Sequence, residues 1–179
     1  MKLNIGCGMW GTTGNPWPDP TAYNSDFGAP LPGWVNVDYH LPHGILPEHN
    51  FVQHDLNVIP WPFESNSFDE VRAYHILEHL VDLLSVMREV HRVALPDAKV
   101  DIVVPYAGTV GDVGNMAHRS HFNHRTFTYL CEGVETNDLD FGKKLFRMVR
   151  QFLREQTFEE FEGIQWRHAN LQVILSVVK

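Results

Sequence analysis

Two short apolar runs constrain this chain more than anything else in it. Lys2-Leu3-Asn4-Ile5 stops at Gly6-Cys7-Gly8, and Trp34-Val35-Asn36-Val37 stops on the acid Asp38. Strand, glycine turn, strand, acid is how a parallel α/β sheet with a nucleotide-type site at its carboxyl edge begins. The glycines let a ligand approach the backbone, and the acid accepts hydrogen bonds from a ribose diol.

The segment between the two runs decides which nucleotide fits. Gly6, Gly8 and Gly11 formally satisfy G-x-G-x-x-G, the dinucleotide pattern. In that pattern the pyrophosphate rests on a helix that opens directly after the turn. Here Pro16, Pro18 and Pro20 forbid a helix interior. Asp38 also lies further along than the roughly 20 residues a dinucleotide site needs. A ligand without phosphate has no use for the helix dipole. S-adenosylmethionine, with a sulfonium, a zwitterionic amino-acid end and a ribose, suits an acidic pocket with exposed backbone groups. The long connection, residues 9–32, is expected to form an ordered loop, with Trp10 or Trp17 against the ligand.

Composition narrows the function classes. A chain of 179 residues with a formal net charge of −8 is expected to be a single domain spanning residues 1–179. Its acidity argues against nucleic acid as the main partner, and Arg147, Arg150 and Arg154 are expected to form a solvated face. Two cysteines without C-x-x-C spacing imply a reducing compartment. The longest apolar run, Leu171 to Val178, falls far short of the roughly 20 residues of a membrane span. The expected location is cytoplasmic, with no membrane partner.

Further strands are expected over Phe51–Leu56, Ser67–Tyr74, Val100–Val104 and Leu171–Val178. The apolar residues Ile76, Leu77, Leu80, Leu84, Met87, Val90 and Ala94 recur at helical spacing, which predicts a helix over 76–94, closed by Pro96. Arg125 to Leu130 opens another helix. Leu145 to Leu153 fits a helix or a strand.

In order and interval these pieces resemble the class I S-adenosylmethionine-dependent methyltransferases, in particular small ones with a Gly-Trp-Ile-Asn-Val-Asp second strand. The matching residues are Leu3-Asn4-Ile5-Gly6-Cys7-Gly8, Gly33-Trp34-Val35-Asn36-Val37-Asp38, His54-Asp55-Leu56, Ser67-Phe68-Asp69-Glu70-Val71, His75-Ile76-Leu77-Glu78-His79-Leu80 and Arg88-Glu89-Val90-His91-Arg92-Val93. The resemblance covers roughly residues 1 to 105. It implies a Rossmann-like α/β fold, a mostly parallel seven-stranded sheet with strand order 3-2-1-4-5-7-6 and the last strand antiparallel. It also implies S-adenosylmethionine as cofactor. Gly6, Cys7 and Gly8 would pass under its methionine and ribose part, Asp38 would hold the ribose, Asp55 and Leu56 would meet the adenine, and Tyr74 and His75 would face the transferring methyl.

The chain departs from the family at three places. The helix after the first strand is absent or displaced, and the 41–49 and 57–66 connections are too short and proline-rich for good helices. Leu95-Pro96-Asp97-Ala98 replaces the usual Lys-Pro-Gly-Gly turn. One sheet face is therefore expected to be helix-poor and covered by the 9–32 loop or by a second subunit, as in a homodimer.

Methyl transfer from a sulfonium needs alignment first, and a base only where the acceptor loses a proton. His75 and the cluster His118, His121 and His124 are the candidate bases, because histidine titrates near neutrality. The cluster has a metal reading as well, but its i, i+3, i+6 spacing spreads the side chains around a helix, so no metal is assigned. The expected activity is O- or N-methylation of a small molecule. A cofactor-binding protein that does not transfer methyl groups is the alternative, and a His-dependent metal hydrolase a more distant one.

Overall fold

The computed structural model describes residues 1–7, 30–40, 50–133, 144–161 and 164–179. Gly8, the 9–29 part of the long loop with Trp10 and Trp17, and the 41–49 connection lie outside the described residues.

Seven strands form one sheet: β1 (Lys2–Ile5), β2 (Val35–Asp38), β3 (Phe51–Gln53), β4 (Phe68–Tyr74), β5 (Ala94–Pro105), β6 (Phe146–Phe161) and β7 (Ile164–Val177). Their order is β3-β2-β1-β4-β5-β7-β6. The first five pair in parallel, and β7 runs antiparallel to both β5 and β6. This is the expected Rossmann-like arrangement. Among the described residues, the helices are α1 (Leu83–Val93), the single turn α2 (Val110–Val113) and two 3-10 turns, Leu77–His79 and Thr126–Leu130.

The two faces of the sheet differ because apolar and polar residues alternate along its strands. On one face Leu3, Ile5, Val71, Ala73, Val100, Ile102, Val173 and Leu175 are buried, in one core with Val86, Met87, Val90 and Val93 of α1. On the other face the register sets Asn4 between Asn36 and Arg72, and Arg72 beside Asp101. Asn4 Nδ2 donates to Asn36 Oδ1 at 2.9 Å, and Gln172 Nε2 donates to Asp101 Oδ1 at 2.7 Å. Lys2 and Lys99 flank Glu70 at 2.8 and 3.0 Å. Purely parallel strands buried on both faces carry continuous apolar runs. Here polar groups pair with one another across the strands instead.

Several expected boundaries moved. The helix predicted over 76–94 is instead a 3-10 turn followed by α1, which starts at Leu83. Asn57 Oδ1 accepts Val81 N–H at 2.8 Å, and Asp82 caps α1 by accepting Ser85 N–H at 3.0 Å. Both side chains take donors that a continuous helix would have used internally. Pro96 does not close the helix, because Ala94 is already extended and pairs with Phe68. The register then shifts before Lys99 meets Glu70, and Asp97 takes the left-handed conformation (φ 60°) within the segment where the family places glycine. The third strand ends at Gln53, three residues short of Leu56. The ambiguous 145–153 segment lies largely within β6, and residues 125–130 form a 3-10 turn from Thr126.

Candidate active site

The carboxyl ends of β1, β2 and β3 lie side by side, because all three strands are parallel and adjacent. At the end of β1, Gly6 has φ +67°, a conformation that costs a side chain strain. A Cβ on Gly6 would also lie 2.4 Å from Ile76 Cβ. The β1 turn thus needs glycine twice over, once for its backbone and once for the approach of the chain leaving β4. Gly6 N–H and Cys7 N–H both donate to Val37 O, at 2.9 and 3.4 Å, which ties the turn to β2. Cys7 is fully buried; burial, together with the neighbouring Asp38 charge, pushes its thiol up to about 12. Its place in the turn is structural, since a thiol held so high is a poor nucleophile.

Asp38 closes β2 and is half-buried beside this turn. Its Oδ1 accepts His40 N–H at 3.1 Å, and its carbonyl accepts His54 N–H at 2.9 Å, so both the acid and the start of the next segment are fixed. Asp55 lies two residues past β3. Asn57 donates to Asp55 Oδ1 from its backbone and its side chain, at 2.9 and 3.0 Å. Leu56 is buried, and its carbonyl accepts Trp61 Nε1–H at 3.1 Å. Trp61 itself is buried, at 2% exposure, and plugs this turn. Two carboxylates at successive strand ends, flanking a tight backbone turn, fit a ligand with a ribose diol and an exocyclic amine. Asp38, Asp55 and Leu56, with Gly6 and Cys7, would hold S-adenosylmethionine.

At the end of β4, Tyr74 lies under the Arg72 guanidinium, 3.9 Å from the ring centroid. Burial and then the Asp101 charge push the Tyr74 phenol up, so it stays protonated as a hydrogen-bonding group. His75 follows with φ 51°, an uncommon conformation for a residue with a side chain. Its N–H donates to Val103 O at 2.8 Å, and its Nδ1 lies 3.4 Å from Glu78 Oε1. Strained backbone of this kind clusters where a side chain has to be aimed.

The loop after β5 folds onto this point. Glu78 O accepts Arg119 N–H at 2.7 Å and Ser120 N–H at 3.3 Å, and the rings of His79 and His118 meet edge to face at 4.8 Å. His118 Nδ1 donates to Asp112 O at 2.8 Å. His121 Nδ1 donates to Asp112 Oδ1, also at 2.8 Å. The loop therefore brings His118 and His121 to the end of β4, through Glu78 and Asp112, and does so without a helix over 118–124. Among the described residues no hydrogen bond or ring contact ties His124 to them, and it is exposed. Sequence reasoning singled out neither Glu78 nor Asp112. A buried acid between two histidines in His75-Ile76-Leu77-Glu78-His79 was the available signal.

Residues 35–102 match the family model described as a methyltransferase domain. No curated protein matches the chain by sequence. Several solved structures share the fold. One is the Burkholderia thailandensis 1,6-didemethyltoxoflavin-N1-methyltransferase with bound 1,6-didemethyltoxoflavin and S-adenosylhomocysteine, at 15% identity, TM-score 0.56, covering 99% of this chain and 71% of that one. Another is an Archaeoglobus fulgidus S-adenosylmethionine-dependent methyltransferase, at 15% identity, TM-score 0.60, covering 98% and 85%. The [4+2]-cyclase SpnF is similar too, at 14% identity, TM-score 0.53, covering 85% and 53%. The domain match over residues 35–102 and the shared fold make this chain similar to the S-adenosylmethionine-dependent methyltransferases.

Proposed function

We propose that this protein transfers a methyl group from S-adenosylmethionine to an oxygen or nitrogen of a small molecule, with His75 and His121 at the acceptor. The observation that carries this reading is the clasp between Glu78 O and the backbone of Arg119 and Ser120. It sets the histidine-bearing loop over the end of β4, where open α/β sheets bind their ligands.

The cofactor supplies an already electrophilic methyl, so the chain's own work is alignment and proton removal. Gly6, Cys7 and Asp38 fix the ribose and methionine part, while Asp55 and Leu56 fix the adenine. Holding acceptor and methyl in line replaces a bimolecular encounter with an aligned one, which supplies several kcal/mol. His121 is the better placed of the two bases. Its Nδ1–H is taken by Asp112, so Nε2 carries the lone pair that accepts the acceptor's proton. Tyr74 lies at the same end of the sheet as a polar contact for the acceptor.

The acidic net charge supports a small acceptor over a polynucleotide, as does the 1,6-didemethyltoxoflavin bound in the Burkholderia neighbour. Because the fold is also that of a cyclase, the deciding experiment is a product assay. A panel of small hydroxyl and amine acceptors is incubated with the protein and a methyl-labelled donor. Label in an acceptor, lost with His121→Gln but not with His124→Gln, supports the reading. Tight cofactor binding by calorimetry without label in any acceptor class would favour a binding protein that does not transfer methyl groups.

A further inference from the structure

The histidine that spacing groups with His121 and His124 finds different companions in the fold. One carboxylate oxygen of Glu78, one ring nitrogen of His79 and one of His118 all lie within 4.8 Å of one another. Glu78 and His79 come from the 3-10 turn after β4, and His118 comes from the loop after β5. The clasp between Glu78 O and Arg119 N–H, 2.7 Å long, holds the two segments together.

Two features of this trio point to a cation. The first is Glu78 itself, 1% exposed. Its Oε1 faces His75 Nδ1 at 3.4 Å, but its Oε2 is buried with no hydrogen-bond partner among the described residues. A buried carboxylate oxygen without a donor bears its desolvation penalty uncompensated. The His75 contact accounts for one oxygen and leaves the other. The second is the orientation of His118. Its Nδ1–H is used by Asp112 O at 2.8 Å, which leaves the lone pair on Nε2. Metal-bound imidazoles are held in this way, with the second nitrogen donating to a carbonyl or carboxylate. The edge-to-face approach of the His79 and His118 rings at 4.8 Å sets two imidazoles side by side.

We propose that Glu78, His79 and His118 form a binding site for a divalent transition metal of the zinc type. Two imidazoles and one carboxylate select zinc-like ions over magnesium or calcium, which prefer oxygen shells. In a tetrahedral site with bonds of about 2.0–2.1 Å the ligand atoms stand roughly 3.4 Å apart. The trio would have to close by up to about 1.5 Å, a movement that side-chain rotation of the two half-buried histidines supplies. Three protein ligands leave a fourth position open to water or to an oxygen of a bound compound, as in zinc sites that do chemistry. The site does not depend on the methyl-transfer reading, and either stands without the other.

The test is zinc titration of metal-free, full-length protein against a chromophoric chelator, with cobalt(II) substitution read by its visible spectrum. One equivalent of zinc is expected to bind, with cobalt giving the intense bands of a tetrahedral site. His118→Ala and Glu78→Gln are each expected to weaken zinc at least about tenfold, whereas His124→Ala leaves it unchanged. Glu78 is buried, so its variant is checked for a native circular dichroism spectrum. Should it fail to fold, His118→Ala and His79→Ala carry the test. Absence of one-to-one binding at micromolar zinc overturns the proposal. So does equal affinity in wild type and His118→Ala, or loss of zinc on His124→Ala alone, which would mean adventitious binding by surface histidines. Methyl transfer enters none of these readouts.

Discussion

Nδ1 of His121 donates to Oδ1 of Asp112 across 2.8 Å, from a side chain 57% exposed to one 1% exposed. The other oxygen, Oδ2, accepts Gly108 N–H at 2.9 Å. The carboxylate is therefore fixed from one side by the β5 turn and fixes an imidazole on the other. This pairing selects the His121 tautomer whose Nε2 is free to accept a proton. If His121 is the base, His121→Gln is expected to lower turnover by about 10²–10⁴-fold. Asp112→Asn is expected to lower it by less, with unchanged cofactor affinity. A drop in affinity that tracks the drop in turnover would instead mean that the loop had lost its shape.

Asp38 ends β2 next to the Gly6–Cys7 turn, where it would accept the cofactor's ribose hydroxyls. Hydrogen bonds to a charged group contribute roughly 1.5–3 kcal/mol, so Asp38→Ala is expected to weaken S-adenosylmethionine about tenfold or more. Calorimetric titration of the two proteins measures this directly. Equal affinity would remove Asp38 from the site.

How far the sequence could be read depended on whether the determining contacts were local. The acids at the end of β2 and past β3 were legible because each strand, turn and acid is a short local pattern, whereas the strand order came only with the family resemblance. The break in the predicted 76–94 helix was not, because it depends on Asn57 taking Val81 N–H, a contact between residues 24 apart. The polar face was visible in Lys2-Leu3-Asn4-Ile5 and in Glu70-Val71-Arg72-Ala73-Tyr74, where the alternation is plain, yet its meaning appears only once register sets Asn4 beside Asn36 and Arg72. The histidines illustrate the same limit. Sequence spacing joined His118, His121 and His124, whereas the fold joins His118 to Glu78 and His79 and His121 to Asp112.

Gly6 carries both a positive φ of 67° and the close approach of Ile76. Gly6→Ala is expected to cost about 2–4 kcal/mol, from backbone strain together with overpacking. Chemical denaturation checks the magnitude. Removing the neighbouring side chain, Cβ included, separates the two contributions: in an Ile76→Gly background the same substitution is expected to cost less, because the overlap is gone and the backbone strain remains. An equal cost in both backgrounds would assign the whole effect to φ.

Glu89 gives the fold an acid-sensitive anchor. It lies in α1 at 6% exposure, accepts Trp61 N–H at 2.9 Å and pairs with Arg92 at 2.9 Å. Burial alone pushes its carboxyl up, but the hydrogen bonds from Arg92 and Trp61, with the guanidinium charge, outweigh that and hold it below the usual carboxylate range. A carboxyl whose pKa is lower in the folded chain than in the unfolded one stabilises fully above the unfolded value. That contribution is lost as pH falls through the folded value. Arg92 stays charged throughout, so the loss belongs to Glu89. Near neutral pH, Glu89→Gln is expected to reduce stability by roughly 1.5–3 kcal/mol. As pH falls through the folded carboxyl's depressed value, below the usual carboxylate range, the two proteins are expected to converge, because wild type then carries a neutral acid at the same place. Urea unfolding across this range decides the matter. A gap that keeps its size at low pH would mean that the shape of the side chain, rather than its charge, secures Trp61 and Arg92.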